Sequence, residues 1–253
     1  MFMSEFASAP VQSDSVATAL TVTVNGASVD LLPEGALWWA EASLLVVSDL
    51  HLEKASSYAA RGQMLPPYDT RATLAVVERL MRRFQPDTVI SLGDSFHDRK
   101  AQERLDADDI VTIRRLTAKT DWWWVEGNHD PLPPEGLGGR ATMRLDLDVL
   151  SFQHEPSASP RKGEICGHLH PCAKVTGKAG RSVRTRCFAT DGTRLVMPAM
   201  GAMTGGLNVC DEVFSGLFPD GLLAAATGRD SVYAVSFARL VPDGARGGAR
   251  WRL

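Results

Sequence analysis

The stretch LLVVSDLH, which occupies residues 44–51, decides the expected fold. Four apolar residues, typical of a buried strand, run directly into Ser, Asp, Leu and His. The pattern of a short apolar run followed by polar residues recurs along the chain: VISLGD at 89–94, WWWVEGNHD at 122–130, VLSFQH at 149–154 and ICGHLH at 165–170. Ligands in open α/β sheets gather at the carboxyl ends of strands. Five such ends therefore predict one shared site.

The segments around these runs predict an α/β fold. Apolar residues recur at helical spacing over residues 70–84 and 103–118, and Pro86 stops the first of these helices. Strands are expected at 20–24, 37–39 and 43–47, and beyond residue 140 the chain is typical of strands and turns. This alternation predicts a layered arrangement. We expect one domain over residues 19–242, with flexible tails at 1–18 and 243–253.

Composition excludes several classes of protein. The chain has 253 residues and a formal net charge of −3, so it lacks the global basic field of a bulk nucleic-acid binder. Four cysteines without a C-x-x-C pair are too sparse for a disulfide scaffold and indicate a reducing setting. The N-terminus lacks the basic stretch of a secretory signal, and no apolar run reaches the roughly 18–20 residues of a membrane span. We therefore expect a cytoplasmic protein without membrane contact.

The histidines carry the functional expectation. They lie in or directly beside the strand-end clusters: His51, His97, His129, His154, His168 and His170. One histidine alone is more often a surface or core residue than a ligand, but random scatter would not place nearly every one just past an apolar run. A glycine directly precedes three of the clusters: Gly93, Gly127 and Gly167. The missing side chain lets the chain turn sharply and lets an ion or a phosphate approach the backbone.

In order, these clusters resemble the five motifs of the calcineurin-like metallophosphoesterases. The matching residues are Asp49-Leu50-His51, Gly93-Asp94, Gly127-Asn128-His129-Asp130, His154 and Gly167-His168-Leu169-His170. The chain is also similar to the bacterial DNA-ligase-associated branch of that family, through SDLHLEK at 48–54, RGQMLPPYDT at 61–70, GDSFHD at 93–98 and PAMGAMTGGLN at 198–208. The resemblance implies a four-layer αββα sandwich, in which helices flank two mixed β-sheets and the metal site lies at the strand ends.

The resemblance also implies a centre of two divalent metal ions. The ligands fall into two sets with one bridging member: Asp49, His51 and His170; Asn128, His154 and His168; and the bridging Asp94. Imidazole, carboxylate and amide ligands suit Mn²⁺, with Fe or Zn²⁺ as alternatives, better than Mg²⁺, which prefers oxygen octahedra. Two ions about 3.5–4 Å apart would clamp the attacking and leaving oxygens, and a hydroxide shared by them would be the nucleophile.

The motif Gly127-Asn128-His129-Asp130 is expected to carry catalysis as well as metal binding. The leaving alkoxide needs a proton, and His129, oriented by Asp130, is the candidate donor; such general acid help is worth about 10²–10⁴-fold. Asn128 acts in the same motif. Two positions depart from the family pattern. His97 stands where family members commonly have a second Asp, so substrate contact and a structural role both stay open. Glu155 follows His154 where glycine is common.

Basic residues after the last motif bear on the substrate. They fall in a segment free of acids: Lys174, Lys178, Arg181, Arg184 and Arg186. Arg181 and Arg184 are candidates for phosphate-backbone contact, and a solvated hairpin is the alternative. Arg61 and Tyr68 could approach a substrate from the loop after the first motif, although loop packing is the preferred interpretation for Tyr68. The run WWW at 122–124 is expected in the core, because successive strand residues face opposite sides.

The resemblance to the ligase-associated branch implies hydrolysis of phosphodiesters, as a nuclease acting on DNA during repair. It further implies association with an ATP-dependent DNA ligase and a helicase, and a homodimer is a further expectation. A phosphomonoesterase or a phosphodiesterase of small nucleotides would use the same metals. A non-catalytic scaffold of the same fold is the alternative from another class, because fold alone does not fix function.

Overall fold

The computed structural model describes residues 18–130, 134–159, 161–177, 180–219 and 221–244, and within these ranges the strands form two sheets. The first sheet contains, side by side in chain order, β1 (Leu20–Val24), β2 (Ala27–Leu31), β3 (Leu37–Trp39), β4 (Leu44–Val47), β5 (Thr88–Leu92), β6 (Asp121–Val125) and β7 (Arg140–Thr142). The strands of the second sheet are β8 (Arg144–Leu147), β9 (Leu150–Gln153), β10 (Glu164–Cys166), β11 (Cys172–Thr176), β12 (Ser182–Thr190), β13 (Leu195–Val196), β14 (Leu223–Thr227) and β15 (Val232–Ser236). The helices are α1 (Lys54–Ala59), α2 (Asp69–Phe84), α3 (Ala107–Thr117) and α4 (Glu212–Ser215).

Both sheets are mixed, as expected. In the first sheet β4, β5, β6 and β7 are parallel, whereas β1, β2, β3 and β4 pair antiparallel. The second sheet runs in the spatial order β15-β14-β12-β13-β10-β9-β8, with β11 paired to β12 beside this path. Its strands β9, β10 and β13 are parallel. Neighbouring parallel strands end at one edge, so the polar residues that follow them are brought close together.

Three apolar clusters hold the layers together. Residues such as Val46, Ile90 and Phe152 fill the space between the two sheets. A second cluster lies between the first sheet and helices α2 and α3, and a third covers the outer face of the second sheet with side chains from α4 and the turn after it. The order helix, sheet, sheet, helix agrees with the expected sandwich. The fourth layer is thin, because α4 spans only Glu212–Ser215.

The helix predictions hold with one correction. Helix α2 covers 69–84 against the predicted 70–84, and it ends where Gln85 adopts a left-handed φ of 47° just before Pro86. The helix predicted over 103–118 is shorter. Residues 101–104 form a separate 3₁₀ turn, Asp106 is extended, and α3 begins at Ala107. Apolar spacing alone does not separate a 3₁₀ turn from the first turn of an α-helix, because both present the same side chains to the core.

The tryptophans of β6 belong to the core, as predicted. Trp122 and Trp124 are 3% and 5% exposed and pack in the cluster beneath α2 and α3. Trp123 faces the other sheet, and the Arg140 guanidinium lies 4.1 Å from the centre of its ring. These rings are therefore not a platform for stacking bases.

A buried ion pair joins Arg194 and Glu164 in the second sheet. Both residues are at most 1% exposed, and the Arg194 guanidinium contacts the Glu164 carboxylate. Arg194 also donates to the carbonyls of Leu217 and Ser157, at 3.3 and 3.4 Å. The Oε1 of Glu164 accepts from the Ser157 amide at 2.9 Å. Two charges without water must satisfy each other, so this pair is sensitive to the loss of either member.

The remaining expectations concern the two chain ends, the state of the cysteines and membrane-spanning helices. The predicted tails lie outside the described residues except for Thr18, Asp243 and Gly244, and Lys178 lies outside them as well. All four cysteines are free thiols. No helix in the described ranges combines the length and the apolar character that crossing a membrane requires.

Candidate functional site

The five polar strand ends converge at the same side of the two sheets. Asp49, Asp94 and Asn128 follow β4, β5 and β6, which are adjacent in the first sheet. His154 follows β9, and His168 follows β10, its neighbour in the second sheet. The site is therefore built where the two sheets face each other: the first sheet contributes the oxygen donors and His51, and the second sheet contributes the other imidazole nitrogens.

The first group of donors contains Asp49, His51 and His170. The Oδ1 of Asp49 lies 2.9 Å from the Nε2 of His170, and the two imidazole Nε2 atoms of His51 and His170 are 3.3 Å apart. Donor atoms of the three residues lie within 4.8 Å of one another. These are the residues that the family resemblance assigned to one ion.

The second group contains Asp94, His154 and His168, with Asn128 beside them. The Oδ1 of Asn128 lies 3.1 Å from the Nε2 of His154 and 2.9 Å from the Nδ1 of His168. Donor atoms of Asp94, His154 and His168 again lie within 4.8 Å of one another. The structure thus brings together Asn128 and both histidines, the residues that the family resemblance assigned to the second ion.

Asp94 contacts both groups. Its Oδ2 lies 3.4 Å from the Nε2 of His154 and 3.8 Å from the Nε2 of His51. Its Oδ1 accepts a hydrogen bond of 2.9 Å from the backbone N–H of His129. A carboxylate in this position can reach two cations with its oxygen atoms, while the amide fixes its orientation.

The donor set fits two divalent cations. Pairs of imidazole nitrogens face each other at 3.3 Å in both groups, His51 with His170 and His154 with His168. Two imidazole nitrogens at this distance need either a proton shared between them or a cation bound by both. Nitrogen donors mixed with carboxylate and amide oxygens match Mn²⁺, Fe and Zn²⁺.

Electrostatics couple this centre to pH. Burial opposes the charged form of His154, but its hydrogen bond to Asp94 and the charges of Asp49 and Asp94 outweigh burial and raise the pKa of His154 to about 9. Burial also opposes ionisation of Asp94, yet His154 holds the pKa of that carboxyl at about 2. Burial lowers the pKa of His51 to about 3. A cation bound by His154 would have to displace its proton, so we expect metal binding to strengthen as pH rises.

Several candidate ligand residues occupy an unusual backbone conformation. The φ angles are left-handed at Asp49 (51°), His51 (44°), Asp94 (45°), His168 (67°) and His170 (46°). Side chains larger than glycine rarely adopt this region, and each such residue costs on the order of 1–3 kcal/mol unless its surroundings impose it. Nothing in the residue types alone predicted it.

Close approach of the backbone explains two of the glycines before the motifs. A Cβ on Gly127 would lie 2.2 Å from both the backbone nitrogen and the Oδ1 of Asp94. A Cβ on Gly167 would lie 2.2 Å from the Oγ of Ser48 and 2.4 Å from the Oδ2 of Asp49. Any side chain at either position would displace a proposed ligand.

The expected orientation of His129 by Asp130 is not what the structure has. The Nδ1 of His129 lies 2.8 Å from the backbone oxygen of His97. The Oδ2 of Asp130 accepts from the amide of Phe96 at 3.0 Å, and burial raises the pKa of Asp130 to about 7. Asp130 therefore supports the loop that holds Asp94, and a main-chain carbonyl orients His129. The loop after β5 brings His97 next to His129, so the His97 carbonyl takes the place that was expected for Asp130.

His129 and His97 lie at the rim of the centre. The side chain of His129 is 41% exposed, and its Nε2 lies 4.0 Å from the Oδ2 of Asp94. The ring of His97 stacks on the ring of His129 with 5.4 Å between centroids. His97 thus contributes its carbonyl and a stacking face, and its Nδ1 is buried without a hydrogen-bond partner among the described residues.

The candidate substrate contacts are not all alike. Arg61 and Arg181 are exposed. Arg184 is engaged, because it pairs with Asp243 at 3.2 Å and donates to the Gly206 carbonyl at 2.6 Å. The loop-packing interpretation of Tyr68 is wrong, since this residue is 68% exposed.

Lys54 is a functional candidate that the sequence reasoning did not assign. It begins α1 directly after the first motif and is half-buried. Its charge adds to the effect of burial in lowering the pKa values of His51 and His97. A half-buried cation beside the ligand groups suits an anionic substrate. The available signal was its place within the SDLHLEK segment.

Comparisons with known proteins bear on the family and the fold of this chain. The sequence model described as calcineurin-like phosphoesterase matches residues 42–192. The structure is similar to that of the nuclease MPE of Pseudomonas putida, with a TM-score of 0.65 and 24% identity, over 86% of this chain and 100% of that one. It also matches YfcE, a phosphoesterase from E. coli, with a TM-score of 0.38 and 15% identity, over 76% of this chain and 98% of that one. A search of the curated proteins gave no match.

Proposed function

The chain belongs to the calcineurin-like phosphoesterase family and is a metal-dependent phosphoesterase; on this basis we propose that it is a nuclease that hydrolyses phosphodiester bonds of DNA. The observation that carries the proposal is the pair of ligand groups that share Asp94. Similarity of fold to a Pseudomonas nuclease supports a nucleic-acid substrate.

In the proposed centre Asp49, His51 and His170 would hold one ion, Asn128, His154 and His168 would hold the other, and Asp94 would be shared between them. Mn²⁺ is the proposed metal, with Fe or Zn²⁺ as alternatives. When bound, such ions polarise the phosphoryl oxygens and activate a water nucleophile. We also propose that residues 19–242 act as one domain, because the ligands come from both sheets.

His129 is the proposed proton donor. A carbonyl can only accept, so the His97 oxygen fixes Nδ1 of His129 as a protonated nitrogen. The other nitrogen, Nε2, faces the centre from the exposed side and can carry the proton that the leaving oxygen takes. Lys54 and Arg61 are proposed to attract the phosphate to the rim of the centre.

The biological setting is proposed by resemblance. It comprises DNA repair, association with an ATP-dependent DNA ligase and a helicase, a homodimer and a cytoplasmic location. A phosphomonoesterase or a small-nucleotide phosphodiesterase would use the same centre, and a non-catalytic scaffold would not need the complete ligand set. Cleavage assays on single-stranded DNA, duplex DNA, RNA and cyclic nucleotides distinguish these substrates.

Metal removal provides the first test. We expect protein stripped with a chelator to lose hydrolysis of a bis-aryl phosphate diester, and added Mn²⁺ to restore it. The reason is that the proposed reaction needs bound cations to polarise the phosphoryl oxygens and activate a water molecule. Protein carried through the same treatment without chelator is the control. Absence of hydrolysis with every divalent metal tried would favour the scaffold.

Replacing His129 with alanine tests the proton donor. We expect cleavage of DNA to fall about 10²–10⁴-fold, because its alkoxide leaving group needs a proton. Hydrolysis of the bis-aryl reporter should change little, since an aryl oxide leaves without one. Metal content by mass spectrometry should match that of the unmodified protein. A fall in metal content, or equal loss on both substrates, would contradict this role.

A further inference from the structure

A groove opens where the second sheet divides. Strand β12 pairs with β14 through residues 187–190 and with β11 through residues 182–186, so the hairpin β11–β12 separates from β14 and β15. The space between them is about 700 Å³. Residues that matter for its chemistry are Val183, Arg184, Arg186, Arg229 and Tyr233.

This groove lies on the same edge of the sheet as the proposed metal ligands. Strand β10 runs toward His168, and the antiparallel strand β12 starts beyond that edge, because Arg186 pairs with Cys172 just after His170. Strands stand about 4.8 Å apart, so β12, two positions from β10, is about 10 Å away. The loop at 201–206 joins the two places: Arg186 donates to the Gly201 carbonyl, and the Gly201 amide donates to the carbonyl of Asp49.

The lining combines cations with an exposed ring. Tyr233 is 60% exposed and Val183 is 64% exposed. Arg229 is exposed and has no ion-pair partner among the described residues, whereas Arg184 pairs with Asp243 and Arg186 donates to backbone carbonyls. No acidic residue lines the groove within the described ranges. Aromatic rings among arginines are typical of surfaces that bind unpaired bases and their phosphates.

The opposite side of the centre has the other charge. A pocket of about 420 Å³ beside Asn128 and His154 is lined by Glu126 and Glu155. The arginine of that pocket, Arg144, pairs with Asp146 at 2.7 Å. A phosphate backbone is repelled by this acidic pocket and attracted to the groove. The distribution of charge therefore favours a substrate strand that extends from the centre toward the groove.

We propose that the groove holds single-stranded DNA beside the scissile phosphate, with an unpaired base on Tyr233 and a phosphate on Arg229. The inference rests on the proposed function and deepens it, because it selects single-stranded over duplex substrate. In a duplex the bases are stacked on each other and do not reach the ring.

The experiment measures binding of a fluorescein-labelled oligo-dT strand to the full chain by anisotropy, with a chelator present to prevent cleavage. We expect Tyr233→Ala to weaken binding about 5- to 150-fold and Tyr233→Phe, which keeps the ring, to leave it unchanged. Arg229→Ala should reduce the slope of log K against log salt by about 0.7. Arg79→Ala, which removes an exposed charge on α2, is the matched control and should leave the slope unchanged.

Hydrolysis of the bis-aryl reporter by the Mn²⁺-loaded variants separates the two proposals, because this small diester does not reach the groove. Reporter hydrolysis should stay at the level of the unmodified protein, while cleavage of single-stranded DNA falls. Unchanged binding and cleavage of the strand by Tyr233→Ala and Arg229→Ala would overturn the groove alone. An unmodified protein that hydrolyses the reporter but cleaves no DNA would overturn the proposed nuclease function.

Discussion

Replacing Asp94 with asparagine is expected to lower hydrolysis of a bis-aryl phosphate diester at least about 100-fold, with a parallel loss of bound metal. Removing groups that only orient metal ligands already costs about 10–100-fold, and Asp94 contacts both ligand groups directly. Asparagine keeps the shape and one oxygen but loses the negative charge that two cations need. Metal content by mass spectrometry and the rate with saturating Mn²⁺ measure the two effects.

Asp148→Asn is the matched control for this change. Asp148 is exposed and has a left-handed φ of 49°, close to the 45° of Asp94, so the same substitution is made in the same backbone conformation. We expect its metal content and rate to equal those of the unmodified protein. Full metal occupancy and full activity in Asp94→Asn would rule out the bridging role.

Replacing Arg194 with methionine is expected to destabilise the fold by about 3–5 kcal/mol, because it leaves the carboxylate of Glu164 buried without its partner. A chain of this size loses roughly 2–4 °C of melting temperature per kcal/mol, so a shift of about 6–20 °C should appear in thermal unfolding. Adding Glu164→Gln should recover part of the loss, because the amide oxygen can still accept from Ser157 while the buried charge is gone.

The pair of Arg115 and Glu78 provides the comparison for this second prediction. Its members are 43% and 24% exposed, and Arg115 donates to Glu78 at 2.8 Å. Surface pairs of this kind contribute at most about 1 kcal/mol. Arg115→Met should therefore change stability much less than Arg194→Met, and equal shifts would show that burial of the charge does not set the cost.

The clustering of the candidate ligands could be predicted from the sequence because it depends on topology. Apolar runs identify strands, and parallel neighbours bring the residues after them to one edge. Asp49, Asp94 and Asn128 needed nothing more than this rule. The division of the ligands into two sets came from resemblance to a family, since residue type alone does not say which histidine faces which carboxylate.

Other features could not be read from the sequence, because they depend on the main chain. The carbonyl of His97 has no signature in the residue type, so Asp130 was the only visible partner for His129. The change of pairing partner along β12, from β11 to β14, could not be predicted either, because it is made by main-chain hydrogen bonds. The side chains of both halves are equally compatible with a strand. Lys54 was overlooked since a lysine after a motif is ordinarily a solvated residue.

The left-handed residues at the proposed metal centre have a consequence for protein engineering. Asp49, His51, Asp94, His168 and His170 direct their side chains from a main chain that ordinary strand ends do not adopt. Transplanting the same five amino acids onto the strand ends of another scaffold would reproduce the composition of the centre but not its geometry. A successful graft would have to carry the loops with their backbone torsions, and the packing that enforces those torsions.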